Sequence, residues 1–213
     1  RKTKKAATKG KRKTKKCLGK KRKVRNRRRT YKKRGGGKLK NIIHEIDDDN
    51  KINALEDRFT TWDPLTNITA KYINDNGLLA YAAQKNSLPA VNLFIKYKAD
   101  VNIPDAHYGW TPIYWASRDG LLEVVEALIA AEADVNIPDD DDITPISEAS
   151  KNGHLKVVQA LLDKGADVNK AGTTHGYTPI WWASYFGHLE VVQALLDKGA
   201  DVNIPDDDGR TPI

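Results

Sequence analysis

The residues in this sequence best suited to chemistry include three short runs of aspartate. The runs at residues 139–142 and 206–208 offer the carboxylate oxygens that hard cations such as Ca²⁺ prefer. The second run lacks the downstream glutamate that completes a calcium loop, and the triplet at residues 47–49 has no converging ligands. All three runs are therefore interpreted as solvated turns, and neither a metal ion nor another cofactor is expected.

Nucleophiles and acid–base groups are few. His154 and His188 occupy the same position in two similar segments, directly after a glycine, which favours a role in satisfying backbone groups. Cys17, the single cysteine, lies in a basic segment with no histidine near it, where a catalytic thiolate could not be held in place. It also has no disulfide partner, which favours a reducing compartment. Residues 35–38, Gly-Gly-Gly-Lys, lack the spacing of a phosphate-binding loop. The chain is therefore predicted not to be an enzyme.

Charge divides the chain into two parts of opposite sign. Residues 1–40 contain 23 of the 36 lysines and arginines and no acidic residue, whereas the remainder contains 13 basic and 28 acidic residues. A segment with so many like charges and so few apolar side chains cannot bury enough surface to offset its ordering entropy. Residues 1–40 are predicted to form a disordered basic arm that ends in a glycine linker.

The basic arm has three possible roles. Its sequence Lys20-Lys21-Arg22-Lys23 resembles a nuclear import signal recognised by importin, and this favours an intracellular, nuclear location. The same cations could instead bind nucleic acid or another polyanion by releasing its counterions, or the arm could only improve solubility. The cations assigned to import or polyanion binding are Lys20, Lys21, Arg22, Lys23, Arg27, Arg28 and Arg29. No apolar run approaches the roughly 20 residues that span a bilayer, so no membrane segment is expected.

The elements that position the remaining candidate residues recur along the chain. Residues 111–136, 144–169 and 178–203 align with one another, and the Thr-Pro pairs that open successive copies are 33, 34 and 33 residues apart. Residues 76–102 form a degenerate first copy. Thr211 opens a fifth copy that the sequence interrupts, so the chain is interpreted as part of a longer protein.

One copy, residues 178–203, predicts a pair of helices. Thr178 can cap the first free amides, and Pro179 suits the first helical position because it has no amide to leave unpaired. Gly187 and Gly199 end the two helices at positions that tolerate left-handed geometry. Ile180, Ala183 and Ser184 of the first helix are expected to face inward. Leu189, Val192, Leu195 and Leu196 recur at helical spacing and are expected to form the apolar stripe of the second helix. A single pair cannot bury its apolar face, so the copies must stack.

These copies resemble ankyrin repeats, which carry the pattern T-P-L-H-x-A-A-x-x-G-H-L-E-V-V-x-x-L-L-x-x-G-A-D-V-N. The resemblance covers about residues 74–213. It implies an all-α solenoid of stacked helix-turn-helix units with projecting hairpin loops, which binds proteins and which we expect to be monomeric. Residues 41–73, with a short helix predicted at residues 50–59, are interpreted as an N-terminal cap or linker.

The copies depart from the family pattern at two kinds of position. The histidine of the first helix is replaced by Tyr114, Ser147 and Trp181, so its usual hydrogen bond to the threonine is predicted to be absent. Lys98 and Glu132 stand where glycine closes the later copies. If those positions are left-handed, a side chain there costs about 1 kcal/mol. The N-terminal half of the array is therefore predicted to be the less stable half.

In ankyrin repeats the partner generally contacts the hairpin tips and the exposed end of the first helix. Large aromatic side chains at such positions favour binding because they bury much area at small entropic cost. The alternative is that they pack across the stack, as predicted for Trp115 and Trp182. The positions carried over are Tyr108, Trp110, Arg118, Asp119, Asp140, Asp141, Ile143, Lys151, Asn152, Thr174, His175, Tyr177, Tyr185, Phe186, Asp207, Asp208 and Arg210, with Tyr108, Trp110, Tyr177, Tyr185 and Phe186 as the expected anchors.

Three functional hypotheses remain. The favoured one is a non-enzymatic module that binds a partner protein of unknown identity through the array, with the basic arm serving nuclear import or polyanion contact. The second is a nucleic-acid-binding protein that acts through the arm and uses the array as a scaffold. The third is a recruitment domain of a longer enzyme whose catalytic part follows Ile213.

Overall fold

The structure, a computed structural model, describes residues 51, 73–75, 77–105 and 107–212. All of these lie in one of the two units of the chain, Ile42–Ile213, and the other unit is Arg1–Asn41. The predicted basic arm and most of the predicted cap lie outside the described residues, so the domain boundaries remain predictions.

Eight helices are described over their full length, and they alternate between seven and nine residues. No strand occurs among the described residues, which confirms the all-α prediction. The helices are α1 (Leu78–Gln84), α2 (Leu88–Lys96), α3 (Pro112–Arg118), α4 (Leu122–Ala130), α5 (Pro145–Lys151), α6 (Leu155–Asp163), α7 (Pro179–Tyr185) and α8 (Leu189–Asp197).

The helices form two layers. Each repeat contributes one pair, and the first helices α1, α3, α5 and α7 contact one another in order, as do the second helices α2, α4, α6 and α8. The core lies between and within these layers, where Ile113, Ile146 and Ile180 of the first helices and Leu128 and Leu161 of the second are fully buried. This arrangement confirms the predicted solenoid of stacked helix pairs.

The Thr-Pro pairs begin the first helices as predicted. The hydroxyls of Thr111 and Thr178 each accept a hydrogen bond from the backbone amide three residues later, at 3.3 Å. In the middle repeat the hydroxyl of Thr144 instead lies 3.0 Å from that of Ser147. The Ser147 hydroxyl thus takes the place of the histidine side chain, whereas the Tyr114 phenol bonds Asp139 and the Trp181 ring stacks on Tyr177.

Left-handed glycines and histidines join neighbouring repeats. Gly120 and Gly153 follow the first helices with φ of 72° and 73°. A Cβ atom on either would lie 2.6 Å from the imidazole of His154 or His188 in the next repeat. The Nε2 atoms of these histidines bond the carbonyl oxygens of Arg118 and Lys151, at 3.0 and 3.1 Å. The predicted structural role of the two histidines is confirmed.

An asparagine ladder explains why the sequence Ala-Asp-Val-Asn recurs at the end of each copy. At four junctions the side-chain oxygen of an asparagine accepts a hydrogen bond from the backbone amide of the aspartate at the start of the next such motif. The pairs are Asn74 with Asp100, Asn102 with Asp134, Asn136 with Asp167 and Asn169 with Asp201, all at 2.8–2.9 Å. Neighbouring repeats are therefore held together by polar contacts as well as apolar ones.

The predicted apolar stripe of α8 is only partly buried. Leu195 is fully buried and Val192 half-buried, whereas Leu189 is 77% and Leu196 37% exposed. The equivalent Leu162 of α6 is buried, because α8 packs beside it. No further helix pair packs against α8 within the described residues, which leaves Leu189 and Leu196 of the predicted apolar stripe exposed.

Candidate partner-binding surface

In three of the four described hairpins the first aspartate folds the hairpin tip. One carboxylate oxygen of Asp139 accepts hydrogen bonds from the backbone amides of Asp141 and Ile143, both at 2.9 Å. Asp105 and Asp206 bind the amides of their own tips in the same way. These carboxylates are therefore committed to the loop, which leaves the later aspartates of each run exposed: Asp140, Asp141, Asp207 and Asp208.

Neighbouring hairpin tips are linked to one another. The amide and the hydroxyl of Thr173 both bond the carbonyl oxygen of Asp141 at 3.0 Å. The amide of Asp207 bonds the carbonyl oxygen of His175 at 3.0 Å. The last three tips thus form one continuous row, which includes six of the residues expected from the sequence to contact a partner: Asp140, Asp141, Thr174, His175, Asp207 and Asp208.

An N-terminal aromatic cluster, which we define as Tyr108, Trp110, Tyr114 and Trp115, connects the first described hairpin to α3. Trp110 stacks on Tyr108 and on Tyr114, with ring centroids 4.8 Å apart in each pair, and it meets Trp115 edge to face at 4.5 Å. The guanidinium of Arg118 lies 4.4 Å from the Trp115 ring and 5.0 Å from the Trp110 ring.

Tyr114 links this cluster to the following repeat. Burial, together with the charges of Glu148 and Asp139, raises the pKa of the Tyr114 phenol well above its ordinary value. The phenol therefore stays protonated, and it donates a hydrogen bond to Asp139 at 2.8 Å. Sequence reasoning assigned Tyr114 only as a replacement for histidine, because its partner lies 25 residues away in the chain.

A C-terminal aromatic cluster, which we define as Tyr177, Trp181, Trp182, Tyr185 and Phe186, covers α7. Trp181 lies between Tyr177 and Tyr185, with ring centroids 3.6 and 5.0 Å away, and Phe186 stacks on Trp182 at 6.0 Å. Although they stack, Tyr185 is 68% and Phe186 48% exposed. The aromatic residues of this cluster therefore pack on one another and also face solvent.

The middle repeat has no aromatic residue on this surface. At the positions of Trp115 and Trp182 it has Glu148, which is only 7% exposed. The ammonium group of Lys151 lies 3.5 Å from the Glu148 carboxylate and 4.8 Å from the centre of the Trp182 ring. Sequence reasoning placed Lys151 on the surface but missed Glu148, although an acidic residue where neighbouring repeats have tryptophan was a usable signal.

Most of the expected partner-binding residues fall into these two clusters and the row of tips. Arg118 and Asp119 form an ion pair at 2.7 Å beside the N-terminal cluster, and Arg210 pairs with Asp206 at 2.8 Å and lies 3.5 Å from the Tyr177 hydroxyl. Ile143 and Asn152 belong to the middle repeat, where Ile143 is half-buried and Asn152 exposed. Trp115 is buried and Trp182 half-buried, in agreement with the packing predicted for them. The cations at residues 20–29 lie outside the described part of the chain.

Within the described ranges, no group of His, Cys, Asp or Glu residues is arranged to hold a metal ion, and no helix is long and apolar enough to cross a bilayer.

No curated protein matches the sequence. The family model for ankyrin repeats matches in three copies, at residues 61–139, 79–172 and 131–206. Ankyrin repeats are generic protein–protein interaction modules and are typically non-catalytic. Since these matches extend over more than half of the sequence and the described helices stack as such repeats do, the chain belongs to the ankyrin-repeat family.

Proposed function

We propose that the array binds a partner protein through the row of hairpin tips and the exposed ends of the first helices, with the two aromatic clusters as anchors. The observation that carries this proposal is the exposure of Tyr185 and Phe186, at 68% and 48%, in the C-terminal cluster. Large rings that remain exposed on a folded surface are typical of binding hot spots.

The stacking within the C-terminal cluster supports binding because it orders the anchors in advance. Tyr185 rests on Trp181 with the two rings only 12° from parallel, and Phe186 rests on Trp182 at 11°. Side chains already held in one conformation lose little entropy when a partner covers them. Within the described residues Tyr185 and Phe186 contribute little to the core, since both rings are largely exposed.

The test replaces both anchors in one variant, Tyr185→Ala with Phe186→Ala. Proteins captured from an extract by the parent chain should be lost by this variant, whereas its unfolding midpoint should change little. Leu189→Ala is the matched control, because Leu189 is a large exposed apolar residue on the second-helix layer. Partners retained by the double variant, together with a clear loss of stability, would favour packing as the role of these rings.

For the basic arm we propose nuclear import or polyanion contact, supported by its 23 basic residues and its lack of acidic ones. Alanine at Lys20, Lys21, Arg22 and Lys23 should reduce nuclear accumulation of the chain if import is the role. Binding to arbitrary DNA and RNA that weakens steeply with salt, and that is lost when the arm is removed, would support polyanion contact.

A further inference from the structure

The middle repeat carries an acid where its neighbours carry an aromatic ring. Helices α3, α5 and α7 lie side by side, and at one equivalent position they present Trp115, Glu148 and Trp182. One position earlier, Ser147 stands between Tyr114 and Trp181. The two aromatic clusters are therefore separated by a repeat with a small hydroxyl residue and a carboxylate on the same surface.

Glu148 is buried, and among the described residues its carboxylate has only long polar contacts. One oxygen lies 3.5 Å from the Lys151 ammonium and the other 3.5 Å from the Asn152 amide nitrogen. Hydrogen bonds from a cation to a carboxylate are ordinarily about 2.7–2.9 Å long. A buried carboxylate with only long contacts is costly, and a cation that approached more closely would stabilise it.

Lys151 marks the place where a cation fits. Its ammonium lies between the Glu148 carboxylate and the face of the Trp182 ring, and its side chain is about one-third exposed, at 35%. A lysine is a point charge on a flexible stem, so it can leave this place at small cost. Arg118 holds the same position as Lys151 one repeat earlier, and its guanidinium stacks 4.4 Å from Trp115 of its own helix while it binds Asp119 at 2.7 Å.

We propose that Glu148 and Trp182 together bind an arginine side chain from an extended segment of the partner protein, which takes the place of the Lys151 ammonium. This inference rests on the proposed function and names the chemistry of the partner. A planar guanidinium can stack on the tryptophan and at the same time donate two hydrogen bonds to the carboxylate, which an ammonium cannot do.

The charge around Glu148 is complementary to such a segment. The hairpin of the same repeat is a run of four aspartates, of which Asp140 and Asp141 are exposed. The neighbouring tip adds exposed polar groups at Thr174 and His175. Residues that flank the arginine in the partner can therefore also be basic, and they would lie along the acidic tip.

The experiment measures the affinity of the full chain for a capped peptide, Gly-Ser-Arg-Gly-Arg-Ser-Gly, by tryptophan fluorescence. Peptides with lysine or with neutral citrulline in place of arginine are the matched probes. The arginine peptide should bind at least about tenfold more tightly than the citrulline peptide, and Glu148→Gln should remove most of that difference. Lys151→Ala should strengthen binding about threefold or more, because the internal cation no longer competes.

Two control variants carry the same charge changes elsewhere. Glu190→Gln and Lys156→Ala alter exposed residues of the second-helix layer. If they change the affinity as much as Glu148→Gln and Lys151→Ala do, the affinity depends only on the net charge of the chain and the proposed site is wrong. A lysine peptide that binds as tightly as the arginine peptide would overturn the assignment of arginine.

Circular dichroism and thermal unfolding show whether Glu148→Gln retains the fold. If it does not, the comparison of Lys151→Ala with Lys156→Ala decides the question alone. Failure of the peptide experiment would leave the proposed function standing if Tyr185→Ala with Phe186→Ala still loses its partners, since that result does not depend on Glu148.

Discussion

Gly153 lies at a close contact between two repeats that leaves no room for a Cβ atom. Its φ of 73° favours glycine, and a Cβ atom would also come within 2.6 Å of the His188 imidazole. That imidazole bonds the carbonyl oxygen of Lys151, so the glycine, the histidine and the end of α5 form one unit. Gly187 has nearly the same φ, 74°, but no atom of the described residues lies within 4 Å of the place where its Cβ atom would be.

Comparison of Gly153→Ala with Gly187→Ala separates backbone strain from contact between repeats. Both variants should lose about 1 kcal/mol of unfolding free energy from the left-handed backbone. Gly153→Ala should lose about 1–3 kcal/mol more, because the imidazole must move away from its hydrogen bond. Urea unfolding followed by circular dichroism measures both values, and equal losses would show that the imidazole adjusts without cost.

At the scale of the element, the ends of the second helices differ between the two halves of the array. Lys98 and Glu132 follow α2 and α4 with φ of 60° and 64°, whereas Gly165 and Gly199 follow α6 and α8 with φ of 88° and 86°. The left-handed geometry that the sequence pattern suggested at Lys98 and Glu132 is therefore present. A side chain in this conformation is strained, which a glycine would relieve.

Glycine at Lys98 or Glu132 should therefore stabilise the protein. We expect each of Lys98→Gly and Glu132→Gly to raise the free energy of unfolding by about 0.5–1 kcal/mol. Lys164→Gly is the control, since Lys164 has a φ of −86° and glycine there adds only flexibility to the unfolded chain. Thermal and urea unfolding should show Lys98→Gly and Glu132→Gly to be more stable than the parent and Lys164→Gly to be less stable. A loss of stability in all three variants would contradict the expectation.

The last hairpin should be sensitive to acid. Burial opposes the ionisation of Asp206, but hydrogen bonds from the amide and guanidinium of Arg210 and from the amide of Asp208 outweigh it and hold the pKa of Asp206 below its ordinary value. The ionised carboxylate therefore stabilises the tip at all pH values above about 4, and this contribution disappears as the pH falls through the lowered pKa.

Amide chemical shifts of Asp208 and Arg210 measured between neutral and strongly acidic pH report on this hairpin. The amide of Arg210, which donates directly to the Asp206 carboxylate, should change in a step with a midpoint below about 4, the ordinary carboxyl value. Asp206→Asn should abolish the step, because an amide does not titrate. A midpoint at or above the ordinary value would contradict the assigned hydrogen bonds.

At the scale of the whole molecule, stability is the sum of contributions from each repeat and from each contact between neighbours. The asparagine ladder provides a comparable polar contact at each junction from Asn74 to Asp201. Backbone strain is distributed less evenly. The left-handed residues after α1, α2 and α4 are Asn86, Lys98 and Glu132, whereas the left-handed residue after each of α5 to α8 is a glycine.

Hydrogen exchange should show this difference along the array. We expect amides of α2 (Leu88–Lys96) to exchange faster than those of α6 (Leu155–Asp163), because local opening costs less where strain is released. Mass spectrometry of peptides from the two helices measures the difference. Protection around Lys98 and Glu132 that equals or exceeds that around Gly165 would contradict it.

The framework of the fold could be predicted from local signals, while the composition of the surface could not. Thr178 and Gly187 define the limits of α7 through capping and backbone conformation, which depend on neighbours in the chain. The exposure of Leu189 and the burial of Glu148 depend on which helix covers each position. Equivalent positions such as those of Trp115 and Glu148 differ in their surroundings because their neighbours in the stack differ.

The sequence by itself therefore determined the repeat period, the helix pairs and the ankyrin-repeat family, since caps, left-handed glycines and apolar periodicity act over a few residues. Only the tertiary structure decided that Tyr114 donates to Asp139, that the rings of α7 stack and still face solvent, and that Lys151 lies between Glu148 and Trp182. These contacts join residues from different helices, and the stacking of helix pairs, rather than any local propensity, brings them within reach.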